Sequence, residues 1–594
     1  MPRVYPNGMA LTSIMDSLDD DADDNKHLIS VLSMNLLAPL YVRPIDKRTG
    51  QVQPFAAFEW VQDDAILEWD TRKLRLLEYM LASEAEVICL QELQLERQEK
   101  TSEGENNESL TTDPPLVLPQ WIQPMVQTHG YRAILPPQDS LDHIAKRNLR
   151  VLGSDSAVTN AILVKKDQWK VLEEPEEEEE TEPVKKKSKK DRGGVQRISS
   201  SKNSNTMVSV CLQPASSKHE ATIDPVVISC VHLDATDERK RILQLTKCLE
   251  RSRNLLNHQG KDDSSILLPL RAIITGDMNA EFVPGSCMMA TLKGYQRKKR
   301  QALHESSSSP SDTSIESDDE AMAEVSACTE ALRLTCTEPP TKEQLKDWRQ
   351  LRQEAYDLVQ DNCVSLDRVP TGPTRCAYGH STQRDMESWK LDHLLYTCSN
   401  DDENDCEDSV RGVRPLAYWA TLEADATSSQ TGLPNASCPS DHLPIAAVFQ
   451  IPLSVSPSAK DREVSSTFLQ LVQDLEQRHK EVIQQAKAEL KAKENELQQK
   501  ELRKQKKAVI MQGPAVADNS KQGKKKKKGN QKRGPPSTEM MEMKREFRAR
   551  LKSVQKNQVQ EREGLIRDMG NREKLLLQGH FGIPWRQWLE QGPP

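Results

Sequence analysis

The sequence predicts a layered α/β domain over residues 28–452, and two observations carry that prediction. Apolar runs of strand length recur along this region, and stretches with apolar residues at helical spacing lie between them. A third observation concerns function: polar residues able to bind a metal, a proton or a phosphate sit at the ends of these runs.

The first run, "LISVLSMNLL", starts at residue 28, and order is expected to begin there, after an acidic and disordered lead in residues 1–27 ending in "DSLDDDADD". "EVICL" (86–90), "AILV" (161–164), "VVISCVHL" (226–233), "AIITGDMN" (272–279), "LDHLLYT" (391–397) and "IAAVFQI" (445–451) are expected as fully buried strands. Residues 65–82 and 238–256 have the helical pattern. Polar insertions near 97–115, 173–206 and 297–345 bury too little apolar surface to offset their ordering entropy, so they are expected on the surface.

From 459 to 594 the composition changes to a basic, helix-rich and partly disordered tail. Its 31 Lys and Arg outnumber 18 Asp and Glu, a balance of +13 that leaves −22 for residues 1–458 of a total of −9. The heptad pattern there is sparse, so the helices are expected to be long and solvated, with coiled-coil pairing the alternative. Trp585 and Trp588, in "FGIPWRQWLEQ", suggest docking on a partner protein. The runs "KKKSKK" and "KKKKK" read as nuclear-import signals or as RNA-gripping patches.

Composition also excludes. A content of 36% hydrophobic and 4% aromatic residues is low for 594 residues of packed core, so part of the chain must be solvated. The 12 cysteines form no CxxC pair, which argues against a zinc ribbon and, without a leader-like N-terminus, against a secreted disulfide scaffold. No apolar run is long enough to span a bilayer, and a soluble protein of the cytoplasm or nucleus is expected.

Asn35 follows "VLSM", Glu92 follows "EVICLQ", His232 follows "VVISCV", Asp277 and Asn279 follow "AIITG", Asp392 lies in "WKLDHLLY", and Asp441 and His442 precede "IAAVF". Strand ends are where an α/β scaffold gathers side chains into one crevice. Carboxylates and amides without a Cys/His cluster suit a hard cation, Mg²⁺ or Mn²⁺, and such an ion commonly partners phosphate. Each residue alone also has an ordinary reading as a turn, a cap or an exposed acid.

The series "SMNLLAPLY", "EVICLQEL", "VISCVHLDATDERKRILQL", "IITGDMNAEFVPGS", "WKLDHLLY" and "LPNASCPSDHLPIAAVF" resembles the endonuclease/exonuclease/phosphatase superfamily with its DNase I-like fold. Trp69 with Arg72, Arg241 with Gln244, and "LPN" before "PSDHLP" are most similar to the carbon-catabolite-repressor-type deadenylases and their nocturnin and Angel relatives. The resemblance implies two packed β-sheets flanked by helices and a Mg²⁺-dependent hydrolase that shortens RNA, poly(A) above all, from its 3′ end. It implies that Glu92, Asn35 and Asp441 form the metal site. Asp277, with Asn279, would handle the attacking water, and His442, oriented by Asp392, would contact the phosphate together with His232, Asn35 and Asn279.

Two departures stand out. Cys230 and Val231 replace the usual Asn-Thr before His-Leu, which implies the loss of a polar contact near the phosphate, and no leucine-rich repeats precede the domain. The alternatives are an abasic-site DNA endonuclease or a phosphatase of the same superfamily, and a degenerate domain that binds nucleic acid without cleaving it.

Overall fold

The computed structural model describes residues 2–19, 27–42, 58–98 save 59 and 62, 114–172, 207–215, 225–257, 270–292, 322–329, 339–361, 364–378, 386–398, 412–421, 432–451, 459–511, 538–567 and most of 574–593. Two compact units divide the chain, residues 1–456 and 457–594.

The first unit is an α/β sandwich of two packed sheets flanked by helices. One sheet has the strand order Arg3–Tyr5, Arg414–Trp419, Ile445–Ile451, His27–Asn35, Val87–Arg97, Ala157–Lys165, Tyr131–Ile134, with Leu116–Val117 added on Val87–Arg97. The other runs Ser365–Arg368, Asp392–Cys398, Ala272–Asp277, Val226–His232, Met207–Pro214, Trp169–Leu172. Between them lies an apolar layer that includes Ile29, Val31, Val87, Cys89, Ile228, Cys230, Ile273, Leu394 and Phe449.

Helices Trp69–Ser83 and Gln138–Leu152 cover the outer face of the first sheet through Leu76, Met80, Leu141 and Ile144, against Leu32, Met34, Ile88 and Leu90. Helices Glu238–Asn257 and Lys342–Asp361 cover the second through Leu245, Leu249, Ala355 and Val359. Strands with both faces buried need near-continuous apolar sequence, which is why the central runs lack alternation.

Each sheet holds a parallel pair at its centre. His27–Asn35 pairs with Val87–Arg97 across the helix Trp69–Ser83, and Val226–His232 pairs with Ala272–Asp277 across the helix Glu238–Asn257. A βαβ unit brings both of its strands to the same carboxyl end, so Asn35 lies opposite Gln91, and Asp277 opposite His232. Within the second pair, Gly276 has φ +143°, and a Cβ there would sit 1.9 Å from the carbonyl oxygen of Val231. The position therefore requires glycine.

Order begins earlier than residue 28. Arg3–Tyr5 adds in parallel to Arg414–Trp419, and the helix Leu11–Asp19 buries Leu11, Ile14 and Leu18 against the first sheet. Each fully buried aliphatic side chain contributes about 1.5–3 kcal/mol, and the i, i+3, i+7 spacing that provides them was hidden beside the acidic run. The insertion near 297–345 is also not wholly a surface feature. Helix 322–329 places Ala327 and Cys328 in the core, and Glu324 is paired with Arg352 at 2.6 Å and Arg349 at 2.7 Å. The insertion at 173–206, most of that at 97–115 and both lysine runs lie outside the described residues.

In the second unit, the helices Ala459–Met511 and Thr538–Arg567 lie antiparallel, as the ion pairs Glu476–Arg562, Glu489–Arg550 and Glu494–Lys544 require. The expectation of independent solvated helices is corrected, because Val472, Leu475 and Ala486 are buried on the longer helix. Trp588 is fully buried, with the Arg562 guanidinium 5.5 Å over its ring, so this aromatic residue docks within its own unit.

Candidate active site

The carboxyl ends of the two parallel pairs open onto one cluster. Asn35, the last residue of its strand, donates from Nδ2 to Glu92 Oε1 at 3.3 Å and to Asp277 Oδ2 at 3.2 Å, joining the two sheets. Its Oδ1 accepts from the Leu37 amide at 2.9 Å. Glu92 lies where the ladder to Ala157–Lys165 breaks register between Leu90 and Leu93, with φ +58°. Its Oε2 accepts from the Ala38 amide at 3.0 Å. Burial pushes the Glu92 carboxyl up, His232 draws it down, and Asp441 raises it further.

From the second sheet, Asp277 Oδ1 accepts from the Asn279 amide at 2.9 Å, and Asn279, at φ +48°, donates from its side chain to the Leu233 carbonyl at 3.1 Å. His232 Nε2 and His442 Nε2 each lie 3.7 Å from Asp277 Oδ2. Asp392, opposite Asp277 in the ladder, accepts from Thr374 Oγ1 at 2.6 Å and pairs with His442 Nδ1 at 2.7 Å. Burial opposes the charged imidazole, but Asp392, Asp277 and Asp441 outweigh it and push His442 up to about 10. The balance favours the protonated imidazole, with Nδ1 bonded to Asp392 and Nε2 facing Asp277 Oδ2.

Asp441 Oδ2 lies 3.9 Å from His442 Nε2 and 3.7 Å from Arg375 Nε. The loop carrying Asp441 and His442 is tied down by Ser440, which donates to the Asn35 carbonyl at 2.6 Å, and by Arg72. Arg72 is fully buried and donates to the carbonyls of Leu36 and Leu37 at 2.6 Å and of Pro439 at 2.7 Å. Desolvation pushes its guanidinium down to about 10, although Asp441 and Glu92 favour the cation.

All eight residues singled out from the sequence, Asn35, Glu92, His232, Asp277, Asn279, Asp392, Asp441 and His442, thus come together. Thr374, Ser440 and Arg375 were missed. A signal existed for Ser440, which stands in "PSDHLP", but Thr374 and Arg375 reach the site on the hairpin Arg375–Tyr378/Met386–Trp389, which no sequence pattern announces. Cys230, at the departure from the family motif, faces the layer between the sheets, where its thiol donates to the Leu90 carbonyl and accepts from Gln91.

Among the described residues, Asp277, Asp392 and His442 offer donor atoms within 4.8 Å of one another. Asp392 Oδ2 is already taken up by two short hydrogen bonds, from Thr374 and His442, so Asp392 is read as the partner of His442 and not as a ligand. Glu92 and Asp277 remain as carboxylates on the Asn35 amide, and Asp441 lies near enough to Glu92 for the two to repel each other. An all-oxygen, charge-rich donor set of this kind fits a hard divalent cation.

No protein-family model matches the sequence, and no curated protein matches it significantly. Among solved structures, the chain is similar to ANGEL2, described as a 2′,3′-cyclic phosphatase, at 17% identity over 72% of this chain and 96% of that one, with a TM-score of 0.37. It is also similar to the human nocturnin catalytic domain, at 15% identity over 72% and 97%, with a TM-score of 0.30. A third is an endonuclease/exonuclease/phosphatase family protein from Leptotrichia buccalis, at 10% identity over 72% and 100%, with a TM-score of 0.26.

Proposed function

We propose that this chain is a divalent-metal-dependent phosphodiesterase of the endonuclease/exonuclease/phosphatase superfamily that removes nucleotides from the 3′ end of RNA, poly(A) in particular. The observation that carries the hydrolase reading is the convergence of three carboxylates, an amide pair and the His442–Asp392 dyad at the carboxyl ends of the two central parallel pairs. The preference for RNA and for the 3′ end rests on the sequence motifs.

Glu92, Asn35 and Asp441 would hold Mg²⁺ or Mn²⁺, which when bound would neutralise charge on a non-bridging phosphate oxygen. Asp277 takes the proton of the attacking water, and Asn279, bonded to it through the backbone, keeps its carboxylate oriented. His442 gives its Nε2–H to a phosphate oxygen. Its charge is favoured by Asp392, whose Oδ2 also accepts from Thr374, which holds that oxygen in place. His232 adds a second imidazole on the same phosphate, and the Asn35 amide would help to hold the cation and to bind the phosphate.

The test is parallel hydrolysis, with and without Mg²⁺, of oligo(A), an RNA ending in a 2′,3′-cyclic phosphate, abasic duplex DNA and a phosphoinositide. Stepwise 3′ shortening of oligo(A) with Mg²⁺ is the expected outcome. Faster cleavage of any other substrate would replace the deadenylase reading, and no cleavage of any would reject catalysis.

A further inference from the structure

We propose that Arg375 is a substrate-binding residue, whose guanidinium takes an oxygen of the attacked phosphate beside His442; this rests on the phosphodiesterase reading above. Arg375 begins the hairpin strand Arg375–Tyr378, and its backbone forms an antiparallel bridge to His442, reinforced by the Leu443 amide donating to the Thr374 carbonyl at 2.7 Å. The strand that presents the guanidinium is thereby fixed to the loop that presents the imidazole.

The two cations flank one carboxylate oxygen, Asp441 Oδ2, at 3.7 Å and 3.9 Å. At 3.7 Å the Arg375 contact is an ion pair without a hydrogen bond, and among the described residues the buried Nε has no hydrogen-bond partner. The side chain is still about a third exposed, at 34%, with the Trp389 ring 6.0 Å from its Cζ. An arginine beside an aromatic ring, with about a third of its side chain open to solvent and no short bond to Asp441, is suited to turn its fork to a phosphate.

Charge gives the reason. A phosphodiester entering this site meets Glu92, Asp277, Asp392 and Asp441, and Arg72 cannot help because it is walled in and donates to three backbone carbonyls. Arg375 has the reach that Arg72 lacks. The competing account is that Arg375 merely positions Asp441, and it makes a different prediction about metal dependence.

The experiment compares wild type with Arg375→Ala, Arg375→Gln and Arg375→Lys. On oligo(A), the Ala and Gln variants should lose roughly 10²-fold in kcat/KM, and the Lys variant about tenfold. Millimolar guanidinium should restore part of the Ala variant's activity, and half-saturating Mg²⁺ should not move. Independently of turnover, fluorescence anisotropy with a phosphorothioate-linked oligo(A) should show at least tenfold weaker binding by Arg375→Ala. Equal binding by wild type and Arg375→Ala overturns the proposal, as does a loss fully reversed by excess Mg²⁺, which would make Arg375 a holder of Asp441. Weakened binding by a protein that hydrolyses no phosphodiester would instead reject the phosphodiesterase reading and leave the phosphate contact standing.

Discussion

The His442–Asp392 dyad offers the sharpest test of the site, because both side chains are almost fully buried and bonded at 2.7 Å. Asp392→Asn keeps the shape and a group for Thr374 to donate to, but it removes the charge that sustains the imidazolium. General acid catalysis of this kind is worth about 10²–10⁴-fold, so His442→Ala and Asp392→Asn should each lower kcat by about 10³. If they act as one device, the double variant should lose no more than about threefold beyond the worse single variant. Two independent contributions would multiply to about 10⁶. The assay is a double-mutant cycle in kcat on oligo(A), with urea denaturation confirming that each variant is folded. That control matters because breaking a buried ion pair costs about 3–5 kcal/mol of stability. Multiplicative losses in folded variants would refute the dyad.

Glu92→Gln should abolish most activity while leaving the fold intact, and excess Mg²⁺ should recover part of it; turnover equal to wild type at every Mg²⁺ concentration would remove Glu92 from the metal site. His393, held between the carbonyls of Ala280 and Lys390 at 2.9 and 2.8 Å, is pushed down to about 4 by burial and by Arg368. The unfolded chain therefore takes up this proton first, near 6.5, and up to about 3 kcal/mol of stability present above pH 6.5 is lost as pH falls through 4; urea titrations should show His393→Gln flattening that slope. Truncation after Pro457 should raise KM for oligo(A) at low salt and flatten the salt dependence of kcat/KM while kcat stays constant, if the +13 tail captures RNA. Unchanged KM and salt slope would assign the tail to localisation or protein partners.

Much of the first unit was legible because its central strands are buried on both faces. Such strands announce themselves as unbroken apolar runs, and "IAAVFQI" matches the strand Ile445–Ile451 residue for residue. The site followed from the same physics: a doubly buried strand holds polar groups at least cost near its end, so Asn35, Asp277 and Asp392 stand out against their runs. What escaped was structure whose partner lies far away in sequence. Arg3–Tyr5 is a strand only because Arg414–Trp419 receives it, and Thr374 meets Asp392 through a short hairpin with half-buried, mixed sequence. Helix 322–329 was masked by the serine-rich stretch before it. In the tail, sparse apolar spacing concealed an antiparallel pairing that buries only a few apolar residues, among them Val472, Leu475 and Ala486, too few to write a heptad pattern.

Both halves of the site share one device. Each parallel pair ends with a residue other than glycine in the left-handed region, Glu92 at φ +58° and Asn279 at φ +48°. Such conformations cost of order 1–3 kcal/mol each and persist only where surrounding contacts fix them. Here the fixing contacts are backbone partners: the Ala38 amide for the Glu92 carboxylate, and the Leu233 carbonyl for the Asn279 side chain. The turn after each strand thus holds the residue that leaves the other. A strand in regular extension would send these side chains alternately to the core and to the outer helices. The left-handed residue breaks that alternation where the parallel ladder has stopped, after Gln91 in one pair and after Asp277 in the other, and Glu92 thereby joins Asn35 and Asp277 at one point between the sheets.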